Sequence, residues 1–456
     1  MQDVIQQLRQ QRDTHVARLK EWLRIPSVST DSSQKINVRR AGEYVLNELK
    51  SAGFTTQVTE TAGHAIVTAD WLGAPGAPTV LVYGHYDVQP PDPIALWRHG
   101  PFEPTIEGRN IIARGATDDK GQVLALVRGI AGYLKQRGKL PVNVKFLIEG
   151  EEEIGSPNLT PFIKAQRARL AADVALISDT SQFGPRKPAL TIGLKGLAYL
   201  ELEIQGPNRD LHSGSYGGAV ANPGNVLCWL IGQLRDADGR VTIPGFYDDV
   251  IDLTAAERAA MRTLNFDEEA FRRDLNVSAL FGETGYTTLE RKWARPTLDV
   301  NGLLCGWTGE GAKTVLPAKA SAKFSMRLVA KQEPERINAL VTAHLKKLCP
   351  PTVTMKLSYH HGSDPVRVPA DSPFMKAAHR AVARGFEVEP VYIREGGSIP
   401  VVSTFKRELG IDTILLGIGL PDDNAHSPNE KFDLDDFQRG IETAVHLLDE
   451  LASVKR

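Results

Sequence analysis

Residues 79–88 read TVLVYGHYDV, an apolar run that ends in a histidine and an aspartate. The apolar part predicts a buried β-strand that places His85 and Asp87 near its carboxyl end. A helical pattern and two further apolar strands follow along the chain, at residues 121–138, 143–150 and 174–179. Strands that alternate with helices of this length predict βαβ units and a mostly parallel sheet.

The pattern changes near residue 192, where alternation of apolar and polar residues replaces the continuous apolar runs. Such alternation is typical of antiparallel strands with one face in solvent. The α/β pattern returns near residue 367. We therefore predict an α/β first domain formed by residues 1–191 and 367–456, with an α+β sandwich inserted at residues 192–366. Residues 240–300 carry no pattern that predicts their structure.

The composition excludes several classes of protein. The 456 residues include 54 Lys and Arg against 55 Asp and Glu, a net charge of −1, whereas a general nucleic-acid binder shows a basic excess. No apolar stretch reaches the roughly 18 residues that span a membrane, and the first residues contain no apolar signal-peptide core. The three cysteines form no CxxC pair, so neither a disulfide framework nor a thiolate zinc site is expected. We therefore expect a cytoplasmic protein without nucleic-acid or membrane partners.

Polar residues cluster where the predicted strands end, which is where open α/β sheets build their sites. The clusters are GHYD (84–87), ARGATDDKG (113–121), EGEEEIGS (149–156), SD (178–179) and AHSPNE (425–430). Three adjacent glutamates would repel one another unless a cation or solvent compensated them. Two histidines with several carboxylates, and no thiolate, are typical ligands of Zn²⁺, Mn²⁺ or Co²⁺. The surplus of carboxylates favours two ions that share a bridging aspartate.

These five motifs, in this order, resemble those of the M20 family of metallopeptidases, and within it the carnosinase-like cytosolic dipeptidases. The resemblance covers nearly the whole chain. It implies that residues 1–191 and 367–456 form a mostly parallel-sheet catalytic domain with a dinuclear metal site. It also implies that the inserted sandwich at residues 192–366 is a lid and dimerisation domain.

The resemblance assigns roles to residues in the first three motifs. The family pattern GHxDVxP stands here as residues 84–90, which implies that His85 is a metal ligand and that Asp87 orients it. The pattern GRGxxDxKG stands as residues 113–121, with Ala113 in place of the first glycine. Asp118 then matches the bridging carboxylate, and the family implies a cis peptide bond after it.

The remaining motifs complete the implied catalytic site. In the EExGS pattern, Glu152 matches the general base and Glu153 a metal ligand. Asp179 matches the carboxylate that shares a metal with His85, and His426 matches the ligand that shares the other metal with Glu153.

The inserted domain carries its own matches to the dipeptidases. The segment RDLHSGSYGG (209–218) resembles one whose histidine reaches across a dimer interface, which implies that His212 stabilises the oxyanion. Thr314 and Arg327 match residues that contact substrate, and the guanidinium fork of Arg327 suits a free carboxylate. Ser398, in the segment EGGSIP (395–400), matches the loop that holds the same carboxylate.

The implied function is hydrolysis of the amide bond of dipeptides or short peptides by a water bridging two metals, in a homodimer formed through the inserted domain. Two divalent ions per subunit are expected, Zn²⁺ first, with Mn²⁺ or Co²⁺ as alternatives. A deacylase of N-acyl amino acids and an amino-acid-releasing carboxypeptidase of the same family remain alternatives. A non-catalytic binding protein is a more remote one, because its expected mark, loss of a ligand or of Glu152, is absent from the sequence.

Overall fold

A computed structural model describes residues 1–455, and the chain divides into two compact units. The first unit comprises Met1–Ile192, Val368–Ile393 and the chain from Thr404 onward, and the second comprises Gly193–Arg367 and Arg394–Ser403. Residues 394–403 group with the second unit, although the sequence places them in the first domain, and Ser398 among them hydrogen-bonds to Arg327 and Lys195 of that unit. The assignment of catalytic and lid roles to the two parts stays a prediction.

The elements are numbered in chain order. The helices are α1 (Gln2–Gln10), α2 (Arg12–Leu23), α3 (Lys35–Ser51), α4 (Lys120–Arg137), α5 (Leu159–Ala165), α6 (Arg167–Leu170), α7 (Ser213–Tyr216), α8 (Pro223–Gly232), α9 (Ala255–Thr263), α10 (Glu268–Asp274), α11 (Thr288–Ala294), α12 (Pro334–Leu348), α13 (Pro373–Phe386), α14 (Pro400–Thr404) and α15 (Leu434–Ala452). The strands are β1 (Thr55–Thr59), β2 (Ile66–Trp71), β3 (Thr79–His85), β4 (Thr105–Glu107), β5 (Asn110–Ile112), β6 (Asn143–Glu149), β7 (Val174–Ser181), β8 (Ala189–Leu194), β9 (Gly196–Gln205), β10 (Leu211–His212), β11 (Thr297–Cys305), β12 (Val315–Leu316), β13 (Lys319–Leu328), β14 (Thr354–Ser363), β15 (Val366–Arg367), β16 (Val391–Glu395), β17 (Asp412–Gly419) and β18 (Lys431–Asp433).

A nine-stranded mixed sheet has the order β1-β2-β6-β3-β7-β17-β8-β15, with β16 also paired to β8. The α/β class is confirmed, and the central strands β6, β3, β7 and β17 pair in parallel. The flanking pairs β1–β2, β2–β6, β17–β8 and β8–β15 are antiparallel. The difference follows from the connections, because helices join the central strands whereas residues 60–65 alone join β1 to β2.

The core of the first unit lies between this sheet and its helices. Helix α4 packs against β3 and β7, and α15 packs against α4 and β17. Every residue of β6 is buried, which is typical of a strand covered on both faces. Because β3, β6, β7 and β17 run parallel, their carboxyl ends meet at one edge of the sheet.

The second unit contains a four-stranded antiparallel sheet of order β11-β13-β9-β14. Residues of β9 alternate between buried and partly exposed, as the sequence alternation predicts. Helices α8 and α12 pack against the buried face, whose core includes Leu200, Leu202, Phe324 and Met326. The β9 residues that alternate with these buried ones include Glu201 and Glu203, which are partly exposed.

No helix within residues 1–455 is both long and apolar enough to cross a membrane. The cysteines Cys228, Cys305 and Cys349 are all free thiols, and the first of them is exposed.

Candidate metal centre and active site

Polar side chains follow the parallel strands at the edge where their carboxyl ends meet. His85 is the last residue of β3, Asp179 lies two residues before the end of β7, and a 3₁₀ turn that begins with Glu152 and Glu153 follows β6. The order of the strands in the sheet thus brings residues 26 to 94 positions apart in the sequence to one edge, as expected for an open α/β sheet.

Asp118 and His426 reach the same edge from loops. Asp118 immediately precedes the N-cap residue of α4, Asp119, and the peptide bond between the two is cis, as predicted. His426 lies between β17 and β18 and has a φ of 62°, in the left-handed region that non-glycine residues seldom adopt. Asn424 and Asn429 in the same loop also have positive φ values, and such conformations cluster at functional sites.

All five predicted metal ligands fall into two overlapping groups. In the first group, one side-chain atom each of His85, Asp118 and Asp179 lies within 4.8 Å of the others. The second group joins Asp118 to Glu153 and His426 within the same limit. Asp118 is the shared member, as a bridging carboxylate must be.

His85 is the most deeply buried member of the two groups. Its side chain is inaccessible to solvent, and its Nε2 atom makes no hydrogen bond but lies 3.2 Å from Asp118 Oδ1. On the opposite side of the ring, Nδ1 lies 3.1 Å from the backbone oxygen of Asp87 and 3.3 Å from its carboxylate. Burial alone would lower the pKa of His85, but the carboxylates of Asp118 and Asp87 raise it well above its usual value. The unpaired Nε2 atom is therefore oriented toward the position where an ion can bind.

His426 completes the second group from the solvent side. Its Nε2 atom lies 2.9 Å from Asp118 Oδ2 and 3.3 Å from Glu153 Oε2, and 56% of its side chain is exposed. These two carboxylates raise the pKa of His426 to about 10. On Asp118, burial opposes ionisation, but the close imidazoles of His426 and His85 outweigh it and lower the pKa.

The other acidic groups at the site are crowded. Burial and the neighbouring carboxylates of Glu153 and Asp118 raise the pKa of Glu152 to about 7. Burial and the carboxylates of Asp119 and Asp118 raise the pKa of Asp179 well above its usual range. Divalent cations relieve this repulsion and release protons when they bind. Imidazole nitrogens and carboxylate oxygens without thiolates fit Zn²⁺, Mn²⁺ or Co²⁺.

Asp87 supports the site on two sides. Besides contacting His85, its carboxylate accepts hydrogen bonds from the backbone N–H groups of Glu152 at 3.2 Å and Glu153 at 3.1 Å. One buried carboxylate therefore fixes both the imidazole ring and the turn that presents the two glutamates.

Glu149 and Glu151, which the sequence leaves without a role, hold neighbouring segments. Glu149 Oε1 accepts hydrogen bonds from the Tyr83 hydroxyl at 2.6 Å and from Ser156 Oγ at 2.8 Å. Glu151 Oε1 accepts from the backbone N–H of His64 at 2.9 Å. Their positions show that neither belongs to the two metal-binding groups.

Glu430 is a residue whose importance the sequence did not reveal, although it ends one of the five motifs. Its fully buried carboxylate accepts hydrogen bonds from Arg114 Nη1 at 2.7 Å and from the backbone N–H of Gly115 at 2.9 Å. The N–H groups of Thr117, at 2.9 Å, and Asp118, at 3.1 Å, donate to its other oxygen. Glu430 therefore shapes the loop that positions Asp118.

The predicted substrate residues in the second unit form two pairs. The register of β10 and β12 sets His212 opposite Val315, and the backbone N–H of Ser213 donates to Thr314 O at 3.1 Å, so His212 and Thr314 are neighbours. In the other pair, Arg327 Nη1 donates a hydrogen bond to Ser398 Oγ at 2.9 Å.

The chain matches the model of the peptidase family M20/M25/M40 over residues 81–450, and it belongs to this family. It is therefore a hydrolase of the metallopeptidase class, as its sequence predicts.

Individual relatives and solved structures are similar to this chain over nearly its whole length. The Cys-Gly metallodipeptidase of Schizosaccharomyces pombe is 35% identical over 460 residues, which cover 97% of this chain and 96% of the relative. The crystal structure of human carnosine dipeptidase 1 covers 99% of each chain with a TM-score of 0.87 and 30% identity. An M20 family metallo-carboxypeptidase from Sulfolobus solfataricus has a TM-score of 0.88 and 35% identity, covering 96% of this chain and 99% of that chain.

Proposed function

We propose that this protein hydrolyses the amide bond of dipeptides with the help of two divalent metal ions. The observation that carries the proposal is that Asp118 belongs to both metal-binding groups, with Glu152 beside them. The similarity to two proteins named as dipeptidases supports the substrate class.

Five side chains are proposed to bind the two metal ions. His85 and Asp179 would hold one ion, Glu153 and His426 the other, and Asp118 would bridge them. When bound, the ions supply Lewis acidity, which lowers the pKa of a water molecule and polarises the scissile carbonyl. Zn²⁺ is the first candidate, with Mn²⁺ and Co²⁺ as alternatives, because sites of this donor set accept all three.

Glu152 is the proposed general base. Its carboxylate takes a proton from the attacking water and later donates that proton to the leaving amine, so that one group acts first as base and then as acid. The hydrogen bond from its backbone N–H to Asp87 fixes the turn that presents it. Asp87 acts by positioning both Glu152 and His85.

His212 is the proposed donor to the oxyanion. Its Nδ1 atom caps α7 by accepting the backbone N–H groups of Gly214 at 3.1 Å and Ser215 at 3.3 Å. Because Nδ1 acts as an acceptor, a neutral imidazole carries its proton on Nε2. The exposed His212 ring can therefore donate Nε2–H to an oxygen that becomes negative as the carbonyl is attacked.

Arg327 and Ser398 are proposed to bind the free carboxylate of the substrate, and Thr314 is proposed to contact substrate beside His212. The Arg327 guanidinium, held by one hydrogen bond to Ser398 Oγ, keeps further N–H donors for a carboxylate. A carboxypeptidase also has to bind the free carboxylate of its substrate. Carboxypeptidase activity is therefore the second candidate function, supported by the similarity to the S. solfataricus metallo-carboxypeptidase.

A substrate panel distinguishes these functions. Release of amino acids would be measured for unblocked dipeptides, N-acetylated amino acids and peptides of four or more residues. We expect the unblocked dipeptides to have the highest kcat/KM. Preference for the longer peptides would instead identify a carboxypeptidase, and preference for the acetylated compounds a deacylase.

We also propose that the protein is cytoplasmic, because its three cysteines are free and thiols persist in that compartment. We further propose that two copies associate through the second unit. Strand β11 lies at the edge of its sheet. It carries exposed apolar side chains, Val300, Leu303 and Leu304. An exposed apolar edge strand is a ready site for pairing with a second chain.

Replacing His212 with alanine is expected to lower kcat by about 10²–10³-fold, because one donor to the oxyanion is lost, while metal content is unchanged. If His212 acts across the dimer, heterodimers of the His212→Ala and Glu152→Gln chains contain one intact site, and activity returns to about half of the wild-type rate. Purified heterodimers that show no recovery would exclude a site shared between subunits.

A further inference from the structure

Lys195 is a buried cation of the second unit that the proposed function does not use. Only 2% of the residue is exposed, although lysine is rarely so buried unless it is paired. Its ammonium donates a hydrogen bond to the backbone oxygen of Arg291 at 2.9 Å. Arg291 lies in the last turn of α11, so Lys195 satisfies a carbonyl that the helix itself leaves without a partner.

The backbone of Lys195 holds the loop that carries Ser398. The Lys195 N–H donates to Gly397 O at 3.1 Å, and Lys195 O accepts a hydrogen bond from Ser398 Oγ at 2.5 Å. The same Ser398 Oγ accepts from Arg327. The adjacent Gly196 has no room for a side chain, because a Cβ atom there would lie 2.5 Å from Ser363 O. The backbone of Lys195 therefore holds the loop of Gly397 and Ser398 in position through two hydrogen bonds.

The charges around Lys195 are mostly of its own sign. Burial first, and then the positive charge of Arg327, lower the pKa of Lys195 to about 7, with Asp299 acting in the opposite direction. Arg295 also opposes the charge on Lys195, but its own guanidinium is paired with Glu283 at 2.7 Å. Lys195 and Arg327, which both hydrogen-bond to Ser398 Oγ, thus form a pair of basic residues, and the acidic residue acting on both of them, Asp299, is exposed. Such a pair is stabilised when an anion binds beside it.

We propose that Lys195 is a positioning residue for the free carboxylate of the substrate, acting through the Ser398 loop and through its charge behind Arg327. The inference deepens the proposed function and rests on it. Helix α11 contributes to the same arrangement, because the hydrogen bond from Lys195 to Arg291 O connects the helix to the residue that holds the Ser398 loop.

The test compares a dipeptide as substrate with the matching dipeptide amide as competing ligand, in Lys195→Met and Lys195→Arg variants of the metal-loaded protein. Methionine matches the length and apolar stem of lysine without its charge. We expect Lys195→Met to raise KM for the dipeptide about tenfold or more, as for loss of a hydrogen bond to a charged group, with kcat nearly unchanged. The Ki of the amide, which lacks the negative charge, should not change. Lys195→Arg should recover most of the affinity, and Lys356→Met, an exposed lysine of β14, serves as the control.

Several outcomes would overturn the inference. Equal losses of affinity for dipeptide and amide, together with a lower Tm, would show that Lys195 is only structural. An unchanged KM in Lys195→Met would show that the Lys195 side chain and its charge have no part in carboxylate recognition, which would contradict the inference. If the methionine variant does not fold, the same comparison in Lys195→Gln decides the question. A wild-type protein that hydrolyses no dipeptide at all would instead contradict the proposed function.

Discussion

Replacing Glu152 with glutamine is expected to lower kcat for dipeptide hydrolysis by about 10³-fold, within the range for loss of a general base. Glutamine has nearly the same shape but cannot take a proton from water. Glu152 is absent from both groups of metal-binding atoms, so the variant should keep the wild-type metal content. Metal analysis of the purified variant and its kcat, measured on the same sample, would establish whether the two properties separate.

Glu151→Gln is the matched control for this variant. Glu151 is the preceding residue, and its carboxylate is already occupied by Asn158 Nδ2 at 2.9 Å and the His64 N–H. We expect its activity to stay within a few-fold of wild type. A Glu152→Gln protein that retains more than a hundredth of the wild-type kcat, roughly the smallest loss expected of a general base, would contradict the assignment.

Replacing Asp118 with asparagine is expected to remove both metal ions and, with them, nearly all activity. Asp118 is the one residue common to both metal-binding groups, and its two oxygens lie near different histidines, at 3.2 Å from His85 and 2.9 Å from His426. The loss of metal affinity should exceed the roughly 10–100-fold that follows removal of a partner outside the ligand set.

Single-group variants provide the contrast for Asp118. Asp179 belongs only to the group with His85, so Asp179→Asn should lower the affinity for the ion bound there and leave the affinity for the other ion unchanged. His426→Ala should have the reverse effect, because His426 belongs only to the group with Glu153. Metal-to-protein ratios measured after dialysis against defined free metal would separate the three variants. An Asp118→Asn chain that retains one ion at full occupancy would rule out a bridging role.

The elements around the site could be predicted because their apolar patterns are strong. The strand predicted over 79–88 ends within three residues of its observed end at His85, and the helix predicted over 121–138 lies within one residue of its observed bounds, Lys120–Arg137. Asp433 caps α15, since its side chain accepts from the N–H groups of Asp435 and Asp436. Local propensity and long-range packing agree in these elements, which is the condition under which sequence patterns succeed.

The segment over 240–300 could not be predicted for the opposite reason. Helices α9 and α11 have only nine and seven residues, too few for a sustained apolar stripe. Their capping boxes, Thr254 with Glu257 and Thr287 with Glu290, were the available signals. The antiparallel flanks of the large sheet were also missed, because pairing direction depends on connections that periodicity does not describe.

In the candidate site, too, some features could be predicted from the sequence and others could not. Motifs identify the ligand types, and the strand order explains why they meet, but the buried contacts of Glu430 with the 114–118 loop involve partners over 300 positions away in the chain. The role of Lys195 likewise depends on Arg291 and Ser398, which lie 96 and 203 positions away. No local pattern encodes contacts of this kind.

Two-metal hydrolysis of dipeptides is tested most directly by returning Zn²⁺, Mn²⁺ or Co²⁺ stepwise to the metal-free protein while measuring hydrolysis of an unblocked dipeptide. We expect the metal-free protein to be inactive and the rate to reach its plateau at two ions per chain, since the described ligands form two groups that share Asp118. Full activity without added metal, or no dipeptide hydrolysis with any of the three ions, would contradict the proposed function.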